Sequence, residues 1–375
     1  MLYMIPDYYK EFQCIAEECE DTCCAGWKIV VDARALKNYR SVRSIYRKKL
    51  KKSINWRKKE FRQGEERRCA FLREDNLCDM YTNLGRDSLC RTCRLYPRHV
   101  EEFEGVREIT LSISCPEAAR ILLHKKEPVH FLTARRKGEE EYEDFDLFLY
   151  SQLVDAREVL IKILQNRELS IAVRMKLMLG IARDMQLRVN SSELFACEAV
   201  LEKYQKDAVC QYVKRDLAHT KTEEAYRFAE ELLSMLESLE FLKEDWCVHL
   251  CETQERLYGN HDSQKWNRTT QEFFQWLSGS GMDWEIQKEQ LLVYFISTYF
   301  CGAVYDGEIY GKAWLAAVSV LALEEMLKAR WLRNEKMLDQ EEIVEIVYRY
   351  SREIEHSDIN LEKIQSQARL ELYFR

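Results

Sequence analysis

The residues best suited to chemistry are cysteines, because nine of the 14 in the chain lie before residue 116. They form two clusters and one single residue: the first cluster reads C-x4-C-x3-C-C, and the second ends in a C-x2-C pair. A C-x2-C turn directs two sulfurs to one metal ion or to neighbouring irons, and thiolates suit zinc and iron–sulfur clusters. The candidate metal ligands are Cys14, Cys19, Cys23, Cys24, Cys69, Cys78, Cys90, Cys93 and Cys115.

Disulfide bonds, or chance burial of small apolar side chains, would also account for this clustering. The start "MLYMIPDYYKEF" lacks the basic and apolar regions of a secretory signal, so we expect a cytoplasmic protein, in which disulfides are disfavoured. One metal site with leftover thiols and two separate sites both fit nine ligands. Zinc and iron both remain open, although the first histidine, His99, comes too late for a mixed Cys/His zinc finger.

The elements that must position these thiols are predicted to be mainly α-helical. All four prolines lie within the first 128 residues, and apolar residues three and four positions apart recur from residue 147 to residue 356. We see no alternating pattern that predicts a large sheet. The sequence therefore predicts a cysteine-rich metal-binding module over 1–128, packed on a multi-helix bundle over 129–375, with "RRKGEEEYEDFD" as linker and helix start.

Charge and hydropathy restrict the partners. The net charge of −7 argues against nucleic-acid binding, and no apolar run reaches the roughly 20 residues of a membrane span. One region differs: Lys28–Arg68 holds 16 Lys and Arg against four Asp and Glu, with aromatic residues among them. It is either a solvated helix face or a surface for an acidic partner.

Three longer motifs add a family resemblance. "CCAGWKIVVD", "CAFL…LCDMY…LCRTCRLYPR" and "AVYDGEIYGKAWLAAVS" together resemble the flagellin lysine-N-methylase family over most of the chain. The first half also resembles a wider group of zinc- or iron-chelating CC-motif domains, whose shorter cysteine spacings are not reproduced here.

The resemblance implies methyl transfer from S-adenosylmethionine to lysine side chains of flagellin, with a cysteine-bound 4Fe–4S cluster. The chain has no G-x-G-x-x-G after a strand, so a Rossmann-type methyltransferase is not expected. The cysteine-bound centre is then the expected place for the methyl donor.

Methylation needs a neutral amine, and hence a base or a desolvating pocket. The segment around "AVYDGEIYG", with Tyr294 and Tyr299 preceding it, combines tyrosines and carboxylates, and we predict Tyr305 and Asp306 as catalytic residues. Two other functions stay open: a zinc-stapled helical binding module, and an iron–sulfur redox or oxygen-sensing protein without methyl transfer.

Overall fold

The computed structural model describes residues 1–138 and 142–368, and the chain is mainly helical over these residues. Residues 139–141, the acidic part of the predicted linker, and residues 369–375 lie outside this description. No helix within the described ranges is both long and apolar enough to cross a membrane.

The α-helices lie between residues 33 and 367. They are α1 (Ala33–Ser41), α2 (Arg47–Ser53), α3 (Asp79–Leu84), α4 (Arg91–Leu95), α5 (Pro116–His124), α6 (Leu147–Leu164), α7 (Ile171–Asn190), α8 (Cys197–Tyr204), α9 (Asp207–Ala218), α10 (Thr222–Glu237), α11 (Glu244–Tyr258), α12 (Ser263–Ser280), α13 (Trp284–Tyr299), α14 (Ala303–Asp306), α15 (Ile309–Arg333), α16 (Gln340–Glu355) and α17 (Asp358–Gln367).

The strands lie before residue 136. They are β1 (Leu2–Pro6), β2 (Ile54–Asn55), β3 (Glu60–Phe61), β4 (Arg98–Phe103), β5 (Val106–Leu111) and β6 (Phe131–Arg135). Four of them form a sheet in the order β4-β5-β1-β6, in which β1 runs parallel to β5 and antiparallel to β6. The sequence pattern did not predict this sheet.

The predicted helices form because their apolar stripes have a core to pack against. Helix α6 begins where the Asp146 carboxylate accepts hydrogen bonds from two backbone N–H groups of the first turn, at 2.8 and 3.2 Å. Helix α15 is buried along most of its 25 residues and packs against α7, α11, α13 and α17. It is therefore the central helix of the body.

One helix predicted over residues 192–213 is broken in the structure. Lys206 has an extended backbone between α8 and α9, so the chain turns there. Tyr204 packs so closely on α7 that a Cβ added at Gly180 would lie 2.6 Å from its hydroxyl. The turn therefore depends on tertiary packing that helical periodicity does not encode.

The described residues contain two hydrophobic cores. The small core holds apolar residues between Cys24 and Cys93, with Leu50, Ile54 and Phe71 at its centre. The large core joins the helical body to the four-stranded sheet and α5. The cysteine-rich part of the chain thus has a core of its own, and Arg98–His124 packs with the helices that follow.

Candidate functional site

The small core brings the two cysteine clusters together. The Cys69 N–H donates to the Cys24 carbonyl at 2.8 Å, and the Cys90 thiol lies 3.7 Å from the Val30 carbonyl. The thiols of this group interact electrostatically with one another, which places them in one neighbourhood. We call them the inner thiols: Cys24, Cys69, Cys78, Cys90 and Cys93.

The other four candidate ligands form a second group, which we call the outer thiols. Cys23 and Cys19 both interact electrostatically with Cys115. Cys19 also interacts electrostatically with Cys14, which is exposed. The adjacent residues Cys23 and Cys24 connect the two groups, because their thiols form a hydrogen bond with each other.

In each of two thiol pairs, a hydrogen bond lowers the pKa of one thiol. A hydrogen bond from Cys23 lowers the pKa of Cys24 to about 7, and the same bond raises the pKa of Cys23 well above its usual value. A hydrogen bond from Cys93 likewise lowers the pKa of Cys90. Each pair can hold one negative charge between its two sulfurs, which favours thiolate chemistry at these positions.

The geometry does not converge on a single ion. Within residues 1–138 and 142–368, no three Cys, His, Asp or Glu side chains meet closely enough to hold one metal ion. The inner thiols nevertheless supply the donor chemistry of a thiolate centre. Metal ligation by the nine cysteines stays a prediction.

Buried charges connect the cysteine-rich part to the helical body. Arg352 of α16 forms an ion pair with Asp21 at 2.6 Å, and its guanidinium also donates to the Ser114 carbonyl at 2.8 Å. Lys243, which precedes α11, adds a second ion pair to Asp21 at 2.6 Å. We call this contact the junction: Asp21–Trp27 and Ser112–Cys115 against Arg352–His356 of α16.

His356 lies between aromatic rings at the junction. Its ring centroid is 4.7 Å from that of Trp27 and 6.0 Å from that of Tyr96, and its Nε2 lies 2.9 Å from the Ser114 hydroxyl. Burial, together with the charge of Arg352, lowers the pKa of His356 to about 3. The imidazole is therefore neutral at physiological pH.

Next to His356, a carboxylate receives three hydroxyl donors. Tyr294 and Tyr299 of α13 donate to one oxygen of Glu355 at 2.5 and 2.6 Å, and Ser351 donates to the other oxygen. Burial raises the pKa of Glu355, although the hydroxyl donors favour its ionised form. This is a group that can exchange a proton nearer neutral pH than an exposed glutamate.

Comparison with known proteins adds the family. Residues 157–372, more than half of the chain, match the model of the FliB lysine N-methylase C-terminal domain. The chain belongs to the FliB lysine N-methylase family.

Curated relatives agree with this assignment. The flagellar biosynthetic protein FliU of Salmonella muenchen is 30% identical over 130 residues, which is 32% of this chain and 75% of that protein. The lysine-N-methylases of Salmonella typhimurium and Salmonella choleraesuis are also 30% identical over 130 residues. In both, the match covers 32% of the relative's own length. No solved structure matches the chain.

The family domain includes one side of the junction. Helices α13 and α16 lie inside residues 157–372, whereas the cysteines that they approach come earlier in the chain. The junction therefore brings family-domain residues to the thiol groups. Ligand sites are common at such internal interfaces.

The predicted catalytic pair lies elsewhere. The Tyr305 hydroxyl donates to the Glu102 carbonyl at 3.0 Å, and Asp306 pairs with Lys312 at 2.5 Å. Strand β4 begins at Arg98, which follows the second cysteine cluster, and Glu102 is near its other end. The two residues are four positions, or roughly 13 Å, apart along the strand. The structure does not bring Tyr305 or Asp306 to the junction, and their catalytic role stays a prediction.

Sequence reasoning named Tyr294 and Tyr299 but missed Glu355, His356 and Arg352. These three lie in "RYSREIEH", whose helical periodicity is what the sequence shows. The pair Glu355 and His356 at the end of a helix was a weak signal, since neighbouring titratable residues there are candidates for acid–base chemistry. Ser351 is four residues from Glu355, but the partners of these three residues on other elements lie more than 50 residues away along the chain.

The basic stretch forms an open cavity on the cysteine-rich part. The cavity has a volume of about 490 Å³ and is lined by Tyr39, Arg40, Arg47, Lys51 and Trp56. The Arg40 guanidinium lies over the Trp56 ring at 5.4 Å. A role in docking an acidic partner stays a prediction.

Proposed function

We propose that this chain transfers methyl groups from S-adenosylmethionine to lysine side chains of flagellin. Membership of a lysine N-methylase family supports lysine methylation. One relative is named as a flagellar biosynthetic protein and another as a lysine-N-methylase. The observation that carries the proposal is the family-domain match at residues 157–372. The methyl donor and flagellin come from the family resemblance.

The junction supports the chemistry that such a reaction needs. A lysine ammonium must lose a proton before its nitrogen can attack a methyl group. Glu355 is a buried carboxylate and His356 is a neutral imidazole, and each keeps a small exposed fraction at the end of α16. The proposed site therefore combines acid–base groups with a position at the protein surface.

For the cofactor, we propose an iron–sulfur cluster held by the inner thiols. Iron–sulfur clusters are held by cysteine thiolates, and the five inner thiols share one neighbourhood in the small core. When bound, such a cluster would supply an iron able to coordinate the methyl donor. Arg68 and Arg352 both interact electrostatically with Cys24 and would offset the negative charge of a thiolate centre.

The test is methyl transfer itself. Anaerobically purified protein is incubated with flagellin and S-adenosylmethionine that carries a deuterated methyl group, and flagellin lysines are analysed by mass spectrometry. The proposal expects deuteromethyl groups on lysines. Folded, cluster-loaded protein that leaves every flagellin lysine unmodified would refute it and favour the redox or oxygen-sensing function.

The cofactor has a separate test with a matched control. Cys90 and Cys93 are changed together to Ser, and in a second variant Cys247 and Cys251 are changed together to Ser. The second pair also lies close together, with sulfurs 3.8 Å apart, but on α11 outside both thiol groups. We expect loss of iron, sulfide and visible absorption in the first variant only. Zinc without visible absorption in the wild-type protein would overturn the cluster and favour the zinc-stapled module.

A further inference from the structure

Buried glutamates in this chain have partners for their charge, and most of those partners are cations. Glu353 is different and accepts hydrogen bonds from the backbone N–H groups of Leu242 and Lys243, at the start of α11. Pairing with a cation or with backbone N–H groups offsets the cost of removing a carboxylate from water. The cationic pairs are Glu108 with Arg157, Glu289 with Arg174, Glu324 with Lys288 and Glu325 with Lys328.

Glu355 has no such cation. Within the described residues, its carboxylate forms hydrogen bonds to Tyr294, Tyr299 and Ser351 and no ion pair with Lys or Arg. Its one cationic neighbour in the described part of the chain is His99 of β4, whose pKa is raised, against the opposing effect of burial, by a hydrogen bond to Glu101 at 2.8 Å and by the charges of Glu101 and Glu355. Two carboxylates therefore share one imidazole, which leaves room in their charge balance for a cation from outside the chain.

The surroundings of Glu355 suit an organic ammonium. The His99 and Tyr299 ring centroids are 5.7 Å apart. Aromatic faces attract ammonium groups, and the attraction increases as water is excluded. His99, Tyr299 and Glu355 are each partly exposed, so this group of residues lies at the protein surface.

We propose that Glu355 receives the ammonium of the substrate lysine beside the Tyr299 and His99 rings, and accepts its proton. This inference rests on the proposed function. The lysine N–H bond breaks and the proton passes to a Glu355 oxygen. The freed nitrogen electron pair forms the N–C bond to the methyl group of the sulfonium donor. The S–C bond breaks, and the donor leaves as a thioether.

The acid–base properties of Glu355 and its tyrosine donors agree with this role. Burial raises the pKa of Glu355, so its conjugate acid is more stable than that of an exposed glutamate. Burial also raises the pKa of Tyr294 and Tyr299 well above the usual value, so both remain neutral hydroxyl donors. Within the described residues, the titratable groups that interact with Glu355 are Tyr294 and Tyr299 from α13, His99 from β4 and Tyr350 from α16.

The proposed lysine site around Glu355 lies close to one of the outer thiols. The backbone N–H of Ile113 lies 3.4 Å from the Tyr294 hydroxyl, and two residues further along the chain is Cys115. His356, next to Glu355, contacts Ser114. The segment Ser112–Cys115 therefore contacts the lysine site on one side and carries an outer thiol on the other.

The first experiment measures ammonium binding without methyl transfer. The probes are n-butylammonium, which reproduces the end of a lysine side chain, and neutral n-butanol, and binding to the full chain is followed by ligand-observed NMR. Wild-type protein should bind the ammonium at least tenfold more tightly than the alcohol, since a buried charged contact is worth about 1.5–3 kcal/mol. Glu355→Gln should abolish that preference.

The matched control for this experiment is Glu353→Gln, a change of the same type two residues earlier on α16. Its side chain faces the start of α11, so it should keep the wild-type preference. Equal binding of both probes by the wild-type protein, or binding of neither, would overturn the proposal. So would an unchanged preference in Glu355→Gln.

The second experiment uses the methylation rate. Glu355→Gln should lower kcat at pH 7 by about 100-fold or more, the usual contribution of a general base. Its rate should then rise about tenfold per pH unit toward the lysine pKa near 10.4, because free amine must come from solution. Wild-type protein should instead reach a plateau above the pKa of Glu355.

A milder variant guards against misfolding of Glu355→Gln. Tyr299→Phe removes one hydroxyl donor from the carboxylate and leaves the ring in place. Because that donor favours the ionised carboxylate, the midpoint of the acidic limb of the rate profile should move up by about one pH unit. A profile that does not move would contradict the proposed role of Glu355.

The two experiments separate the inference from the proposed function. Ammonium binding that depends on Glu355, in a protein that never methylates flagellin, would refute the function and keep the site. Methylation that is unaffected by Glu355→Gln would refute the site and keep the function.

Discussion

Glu353 and Glu355 show how two carboxyl groups on one helix acquire different roles. Glu353 is 2% exposed and points toward the start of α11, where it accepts two backbone N–H groups. Glu355 points toward α13 and the sheet, where it accepts only hydroxyl donors. Direction on the helix, and not residue type, separates a structural carboxylate from a proposed catalytic one.

Glu353 should make stability depend on pH. Burial raises its pKa from 4.5 to about 7, so between these values the folded chain binds a proton more strongly than the unfolded chain does. Stability therefore falls as pH rises through this window. Glu353→Gln removes the dependence, and its free energy of unfolding should gain about 3 kcal/mol relative to wild type across the window. Urea unfolding at pH 4.5 and at pH 7 measures this gain in the free energy of unfolding. A difference that is constant with pH would contradict this assignment.

At the scale of single residues, the sequence identified the cysteine clusters, whose metal ligation stays a prediction, but it did not identify Glu355. Closely spaced thiols have few chemical uses, so the sequence alone pointed to both clusters. Glu355 is one of many glutamates in amphipathic helices, and its distinguishing contacts come from Tyr294 and Tyr299 on another helix. Nothing in the local pattern carries that information.

At the scale of elements, helix α16 holds most of the junction residues and is fixed at its start. Asp339 accepts the Glu342 N–H at 2.8 Å, and the Glu342 side chain accepts the Asp339 N–H at 3.1 Å. This reciprocal capping satisfies donors that have no partner within the helix. It sets where the helix begins, and therefore which residues face the junction at its other end.

Loss of this cap should have a measurable cost. Asp339→Ala should lower the free energy of unfolding by about 1 kcal/mol, because the N-terminal donors of α16 lose an acceptor. Met337→Ala, two residues earlier and 64% exposed, should leave stability within about 0.5 kcal/mol of wild type. Chemical denaturation compares the two variants. Equal stabilities would show that the cap contributes little.

The helices were predictable from periodicity, whereas the sheet was not. Helices α6, α7, α15 and α16 repeat apolar residues every three or four positions over several turns. Strands β4 and β5 span six residues each, and their hairpin turns at Gly105, which has a positive φ of 69°. The "EG" turn was a signal for a hairpin. The parallel pairing of β1 with β5 joins residues about 100 positions apart and leaves no local trace.

At the scale of the whole molecule, the buried ion pair between Arg352 and Asp21 helps to connect the cysteine-rich part to the helical body. Arg352 and Asp21 are 331 residues apart in sequence and are both largely removed from solvent. Removal of one member leaves an uncompensated buried charge. The contact therefore helps to hold the thiol groups against α16.

A double-mutant cycle measures this connection. Asp21→Asn and Arg352→Met should each destabilise the protein by about 3 kcal/mol, and the double variant should lose less than the sum of the two. The exposed pair Lys336 and Glu272 provides a matched control, with an expected coupling energy below about 1 kcal/mol. Strictly additive effects at the buried pair would contradict its proposed role.

The central claim is that the junction receives the flagellin lysine, and hydrogen exchange tests it without requiring turnover. Backbone exchange is followed by mass spectrometry with and without saturating flagellin and S-adenosylhomocysteine. We expect slower exchange in Arg98–Phe103, at the end of α13 and in Arg352–His356. Unchanged exchange in these segments, with protection confined to other parts of the chain, would contradict the claim.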